Sequence, residues 1–382
     1  MQSLSEEEMR KIAHSLVVNS MRIGKRVDGE FESVRIIYNS TDADCQSFAL
    51  AVEEECWKVG AHTLILPYSS KREKLRYLLT PEESITRLSN LAKSIAESID
   101  VTMFIGEQDE PDWARHVVEK LRLSSPVRLK LREILDERKV RWLYFGWPIE
   151  GAAKGYGCDL EKFRRIFFNS IRESFSKRTL ELCNYYGKAL ADKEFVEIRA
   201  DDGTDLKFSI KGRPILVDDG IISDEDIERG DVGLNIPSGE VFVAPLETTA
   251  NGKILFEDVV PHGFGKVKNL TLEFKDGKVV RYSAEKGEEN FTKFLDANTG
   301  EKDRIAELGI GCNLGAEYTG GSIIVDEKIF RTIHIAIGNN TGAYHGKNKA
   351  SSHLDMIKSM VHGRLFVDGK LIMEKGEPIH IK

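Results

Sequence analysis

The chain changes its hydrophobic rhythm near residue 195. Before that point, short apolar runs alternate with stretches whose apolar residues recur every three or four positions. Residues 5–20 predict a helix with Ile12, Leu16 and Val17 on one face. SVRIIYN (33–39) and HTLILP (62–67) predict strands, with a helix between them starting at Asp42 and Asp44 and running to about Gly60. Thr80-Pro81-Glu82-Glu83 predicts a helix start, with Thr80 as N-cap and Pro81 in the first turn, continuing to about Ile99. VTMFIG (101–106) and VRWLYFGW (140–147) are further strand-like runs. A long helix is expected from about Asp159 to Leu190, with Phe163, Ile166, Phe167, Ile171 and Phe175 forming an aromatic and aliphatic core stripe. Strands alternating with helices predict a mostly parallel sheet covered on both faces.

After residue 195 the rhythm becomes that of paired strands. Three pairs of apolar runs flank Asp202-Gly203, Asp276-Gly277 and Asp368-Gly369. Asp-Gly between such runs is a hairpin signal, because glycine accepts the positive φ of a tight turn. The expected organisation is an α/β N-terminal domain (1–190) followed by an α+β C-terminal domain (191–382) with antiparallel sheet.

Composition narrows the function classes. The 382 residues carry 55 Lys and Arg against 62 Asp and Glu, a net charge of -7. An acidic balance argues against nucleic-acid binding, which draws its affinity from clustered cations. The five cysteines are widely spaced with no CxxC, which fits a reducing cytoplasm better than a disulfide framework or a zinc ribbon. MQSLSEEEMRK lacks the apolar stretch of a signal peptide, and no run approaches the ~20 apolar residues of a membrane span.

Candidate chemistry gathers late in the chain. Six of the nine histidines follow residue 260: His262, His334, His345, His353, His362 and His380. His353-Leu354-Asp355 sets an imidazole and a carboxylate two residues apart, which on an extended segment places both on one side. His334 lies in the strand-like TIHIAIG, and if Ile333 and Ile335 face a core, His334 faces away from it. Glu240 opens the apolar run EVFVAP, and Glu307 sits inside the glycine-rich IAELGIGCN. A carboxylate among apolar neighbours must be exposed, paired or metal-bound. Imidazole with carboxylate is the donor set of zinc, cobalt, manganese and iron. Other motifs fail on spacing: the Gly342–Asn348 stretch is one residue short of a P-loop, and neither GxGxxG after the first strand nor GxSxG occurs. Cys312 reads as a small apolar filler.

PSGEVFVAPLETTANG, AELGIGCN, DEKIFRTIHIAIG and SSHLD, in this order and spacing, resemble the signature segments of the thermophilic-type metalloaminopeptidases. The resemblance covers residues from about 140 onward, and earlier residues in architecture only. It implies Glu240, Glu307, His334, His353 and Asp355 as ligands of two divalent ions (zinc, cobalt or manganese). It implies a homodimer acting on peptides; the acidic balance and the lack of an apolar span add the expectation of no nucleic-acid or membrane partner. In the family a tyrosine of the metal site closely follows the HIALG segment. Here Asn340-Thr341 stands at that position, which leaves Tyr344 or His345 to take its place. The implied mechanism is attack of a metal-activated water on the first peptide carbonyl, with Glu307 bridging the ions and Tyr344 or a spare carboxylate serving the leaving amine. Two other classes stay open: a non-haem iron(II) ring-opening dioxygenase using His334, His353 and Asp355, and a binding module without metal.

Overall fold

The computed structural model describes residues 4–379; His380 lies outside them. The first half holds a five-stranded parallel sheet. Its order is His62–Tyr68, Ser33–Asn39, Val101–Ile105, Arg141–Phe145, Gly233–Ile236. The fifth strand comes from well beyond residue 190, so the chain returns to the first sheet after leaving it. Around this sheet Val34, Ile36, Phe48, Met103, Phe145 and Phe167 form one buried core.

The helices differ from expectation where a cap or a proline intervenes. Residues 5–20 form a helix, Glu6–His14, that widens into a π-helical segment, Ser15–Ser20. Thr80 closes the helix Ser70–Leu79 rather than opening the next, because the following Pro81 holds Thr80 extended (ψ 128°). The stretch to Ile99 is two helices, Glu82–Ile85 and Asn90–Ser98, the second capped by Ser89. The expected helix from Asp159 to Leu190 is likewise two, Leu160–Ser174 and Lys177–Leu190. Ser176 caps the second by accepting from the Thr179 N–H, and Phe175 is left 47% exposed at the break. The later helix joins the second half: Leu182, Cys183, Tyr186 and Leu190 lie in its core. A helix that the pattern did not announce, Val118–Glu137, carries Pro126.

The second half contains an eight-stranded and a five-stranded antiparallel sheet. All three Asp-Gly pairs turn hairpins, and φ is 49° at Asp276 and 48° at Asp368. The five-stranded sheet runs His353–Ser359, Thr332–Gly338, Ile305–Gly311, Glu240–Val243, Leu216–Asp218. One of its faces packs into the shared core through Val241, Val243, Leu308, Ile310, Ile333, Ile335, Ile337, Leu354 and Met356. Because side chains alternate along a strand, the residues between these point to the opposite face.

Glu107, just past the parallel strand Val101–Ile105, joins the two halves. It is buried and accepts hydrogen bonds from Tyr156 (2.9 Å), Tyr144 (3.3 Å) and Ser322. Ser322 precedes the one-turn helix Ile323–Asp326, and Asp326 ties that turn to the segment before it by accepting from Thr319 N (2.8 Å) and Gly321 N (3.1 Å). Burial raises the Glu107 pKa from 4.5 to about 7 despite its three hydroxyl donors. The folded state therefore retains a proton that the unfolded chain releases. This contribution to stability is full below pH 4.5 and is lost as pH rises through 7. Glu107→Gln should reduce the fall in unfolding free energy between about pH 5 and pH 8 by about 2 kcal/mol, measured by urea denaturation in chelator. An unchanged pH dependence would contradict this role.

Candidate metal centre

The five sequence candidates all lie on the face of the five-stranded sheet turned away from the core. Val241 and Val243 are buried, so Glu240 faces outward; the same alternation turns out Glu307, His334, His353 and Asp355. The strand register brings them side by side. Gly309 is opposite His334, Gly311 opposite Glu240, Gly338 opposite His353, and Ala336 lies between Glu307 and Asp355. Of these small residues, Gly309 leaves the space that the His334 ring fills. A Cβ at Gly309 would come within 2.0 Å of the His334 ring.

Glu307 stands in the middle. Its Oε1 lies 3.2 Å from His334 Nε2, and its Oε2 lies 3.0 Å from His353 Nε2. Glu240 Oε2 is 3.6 Å from His334 Nε2 on the other side. His353 Nε2 is 3.1 Å from Asp355 Oδ1. His353 Nδ1 lies 2.7 Å from the carbonyl oxygen of Asn339. That oxygen only accepts, so Nδ1 carries a proton and Nε2 is the nitrogen turned toward the carboxylates, where a proton or a metal ion would sit. Two groups of side chains could each hold a cation: Glu240, Glu327 and His334, and Glu307, His353 and Asp355.

The chemistry of the donors fits a divalent ion. Burial would raise the Glu307 carboxyl pKa, but hydrogen bonds from His334 and His353 bring it far below the ordinary value. His334 is also buried, which favours its neutral form, yet Glu307 and Glu240 pull its pKa up to about 9. Each imidazole thus attracts a proton where a metal would otherwise supply the positive charge. Glu240 Oε2 is buried and has no hydrogen-bond partner among the described residues. Such an orphaned carboxylate oxygen, facing an imidazole, is a donor for an incoming cation.

Tyr344 enters the same space. Its hydroxyl donates to Glu307 Oε2 at 2.8 Å, and its ring lies against Phe242 and His353. Asn340, in the position where a tyrosine was expected, is buried and closes the loop instead. Its Oδ1 accepts from the Asn348 N–H at 2.8 Å, and its carbonyl accepts from the Gly346 N–H at 2.9 Å. Arg213 and Glu247 brace the loop from outside, Glu247 accepting from the Lys347 N–H at 2.6 Å. His345 points away, toward the Arg229 carbonyl at 3.3 Å.

Three members of the centre were not anticipated: Glu327, Lys328 and Asp218. Lys328 is fully buried, 2.9 Å from Glu327 Oε1 and 3.1 Å from Asp218 Oδ2, and bonded to Glu240. Asp218 lies directly opposite Glu240 in the strand register. A run of charges such as Asp326-Glu327-Lys328 ordinarily reads as a solvated face. The signal that could have exposed it is its setting between the apolar Ile323-Ile324-Val325 and Ile329-Phe330.

The model of a family described as thermophilic metalloprotease (M29) matches residues 5–380. Among curated proteins, Aminopeptidase 2 of Geobacillus stearothermophilus is 29% identical over 161 residues, 38% of each chain. Aminopeptidase AmpS of Bacillus subtilis (strain 168) is 26% identical over 99 residues, 26% of this chain and 23% of the relative. The matched stretches thus span well under half of those relatives' length. Among solved structures, wild-type AmpT from Thermus thermophilus superposes with a TM-score of 0.69 at 18% identity, covering 97% of this chain and 98% of that one. A 2,5-dihydroxypyridine dioxygenase from Pseudomonas putida KT2440 superposes with a TM-score of 0.60 at 14% identity, covering 100% and 99%. At these identities the two structures share the fold. With the family match spanning nearly the whole sequence, the chain belongs to the thermophilic metalloprotease (M29) family.

Proposed function

We propose that this chain is a metal-dependent aminopeptidase that removes N-terminal residues from peptides. The observation that carries the reading is the pair of donor groups joined through Glu307, whose two oxygens face His334 and His353. Glu240, Glu327 and His334 would hold one divalent ion (zinc, cobalt or manganese), and Glu307, His353 and Asp355 the other, with Glu307 shared. The ions would supply Lewis acidity, making a water nucleophilic near neutral pH and polarising the peptide carbonyl.

The chain's own residues do the rest. Glu307, held ionised by two imidazoles, keeps the two halves of the centre at a fixed spacing. Burial, followed by the charge of Glu307, raises the Tyr344 pKa, so its hydroxyl stays protonated. That O–H is the group placed to hand a proton toward the leaving amine. Asp355 and His353 form the more open side of the centre, at 15% and 20% exposed side chain. Asp355 also lines a narrow cleft with Val259, Tyr318, Ile323 and Ile357, whose volume of about 20 Å³ is enough for a water molecule. A homodimer belongs to this reading through the family resemblance, and a cytoplasmic location through the widely spaced cysteines. Among the described residues no helix is long and apolar enough to cross a membrane.

The dioxygenase reading would use His334, His353 and Asp355 around one iron. It leaves five carboxylates, Asp218, Glu240, Glu307, Glu327 and Asp355, with one divalent ion and one lysine to balance them, two positive charges too few. The carboxylate count favours two ions. A module without metal leaves the same charges still less compensated.

Protein stripped by chelator and reloaded with Co2+ should hydrolyse aminoacyl anilides and leave N-acetylated ones intact. Glu307→Gln should lower kcat/KM by at least about 1,000-fold under the same loading. Wild type no faster than Glu307→Gln, or oxygen uptake without release of amino acids, would contradict the proposal. Tyr344→Phe should lower kcat about 10²–10⁴-fold with little change in KM. An unchanged kcat would remove Tyr344 from the proton path.

A further inference from the structure

Lys328 is the least expected side chain in the centre. Its ammonium is fully buried and shared by Asp218, Glu240 and Glu327. Two of these carboxylates belong to the donor group of Glu240, Glu327 and His334. Asp218 does not; it touches the centre through Lys328 and lies beside Glu240 in the register. The loop bearing Lys328 is fastened at its base by Asp326, and through Ser322 to Glu107 of the first half. The ammonium is therefore held in place as firmly as the carboxylates around it.

The two donor groups differ in their charge balance. Glu307 and Asp355 carry two negative charges, which one divalent ion neutralises. When ionised around a bound metal, Asp218, Glu240 and Glu327 carry three, which one divalent ion and one lysine neutralise. Buried charges need such local compensation. Lys328 also repels any second cation that approaches Glu240 and Glu327, and the low dielectric of the site strengthens that repulsion.

On the reading of two cation positions given above, we propose that Lys328 is a built-in cation that shares Glu240 and Glu327 with an incoming metal ion and lowers the affinity of that half of the centre. It leaves the half made by Glu307, His353 and Asp355 largely unaffected. A purely bracing lysine behaves differently, because its removal would let Glu240 and Glu327 wander and weaken metal binding. The two roles therefore predict opposite signs.

The test is calorimetric titration of the full chain, stripped by chelator, with Co2+, followed in parallel by the visible absorption of bound Co2+. Wild type should show two binding events. Lys328→Met should tighten one of them by at least about tenfold and leave the other within about threefold. Asp218→Asn, which keeps the shape of the side chain and removes a negative charge, should weaken that same event by at least about tenfold. Weakening in both variants, or no change in either, overturns the inference. If Lys328→Met does not fold, Asp218→Asn still decides: unchanged Co2+ affinity overturns the charge-balance account. Wild type that takes up no Co2+ overturns the centre itself, a result distinct from two unaltered binding events in the variants.

Discussion

Everything in the centre depends on the two-residue period of four adjacent strands. Isoleucine, leucine, methionine and valine bury one face of the five-stranded sheet against the eight-stranded one. Once that face is committed, the intervening residues have no choice of direction. Glu240, Glu307, His334, His353 and Asp355 come from four strands and converge because each is out of phase with its strand's core residues. A slip of one residue in any strand would bury its ligand-type side chain and expose its aliphatic neighbours, so the packing that stabilises the sheet also sets the register of the site. Glycine at position 309 completes the arrangement by leaving room for the His334 imidazole.

The second constraint is charge. Four buried carboxylates and one half-buried one gather around two imidazoles and a single lysine. Without further cations, the imidazoles take protons to offset them, and the pKa of His334 rises to about 9. A centre organised in this way binds positive charge by necessity, whatever reaction it serves. The family match across residues 5–380 gives that necessity a chemical context. The dioxygenase from Pseudomonas putida shows that related architecture accompanies a different name, so function has to be argued from the donors rather than from the fold.

Much of this was legible in the sequence, for identifiable reasons. Asp-Gly hairpins, alternating strands and the outward turn of His334 follow from periodicity and turn chemistry alone. What stayed hidden depended on tertiary contacts. The helix breaks before Asn90 and at Phe175-Ser176 are decided by single serine caps, Ser89 and Ser176, within otherwise helical patterns. Strand Gly233–Ile236 is too short to reveal its parallel partner, Arg141–Phe145. Glu327, Lys328 and Asp218 read as ordinary surface charges: the apolar flanks of Asp326-Glu327-Lys328 hint at burial, but only the tertiary fold brings that segment against the strand bearing Asp218. Tyr344 reaches Glu307 only because Asn340 folds the intervening loop back on itself, a contact that spacing alone does not specify.

The central claim is that the outward face of this sheet holds two cations bridged by Glu307. Anomalous diffraction from a crystal of the metal-loaded protein, collected at the absorption edge of the ion, tests it most directly. The account predicts two peaks per chain, one among Glu240, Glu327 and His334 and one among Glu307, His353 and Asp355, with Glu307 contacting both. A single peak held by His334, His353 and Asp355, or no peak on this face, would contradict it.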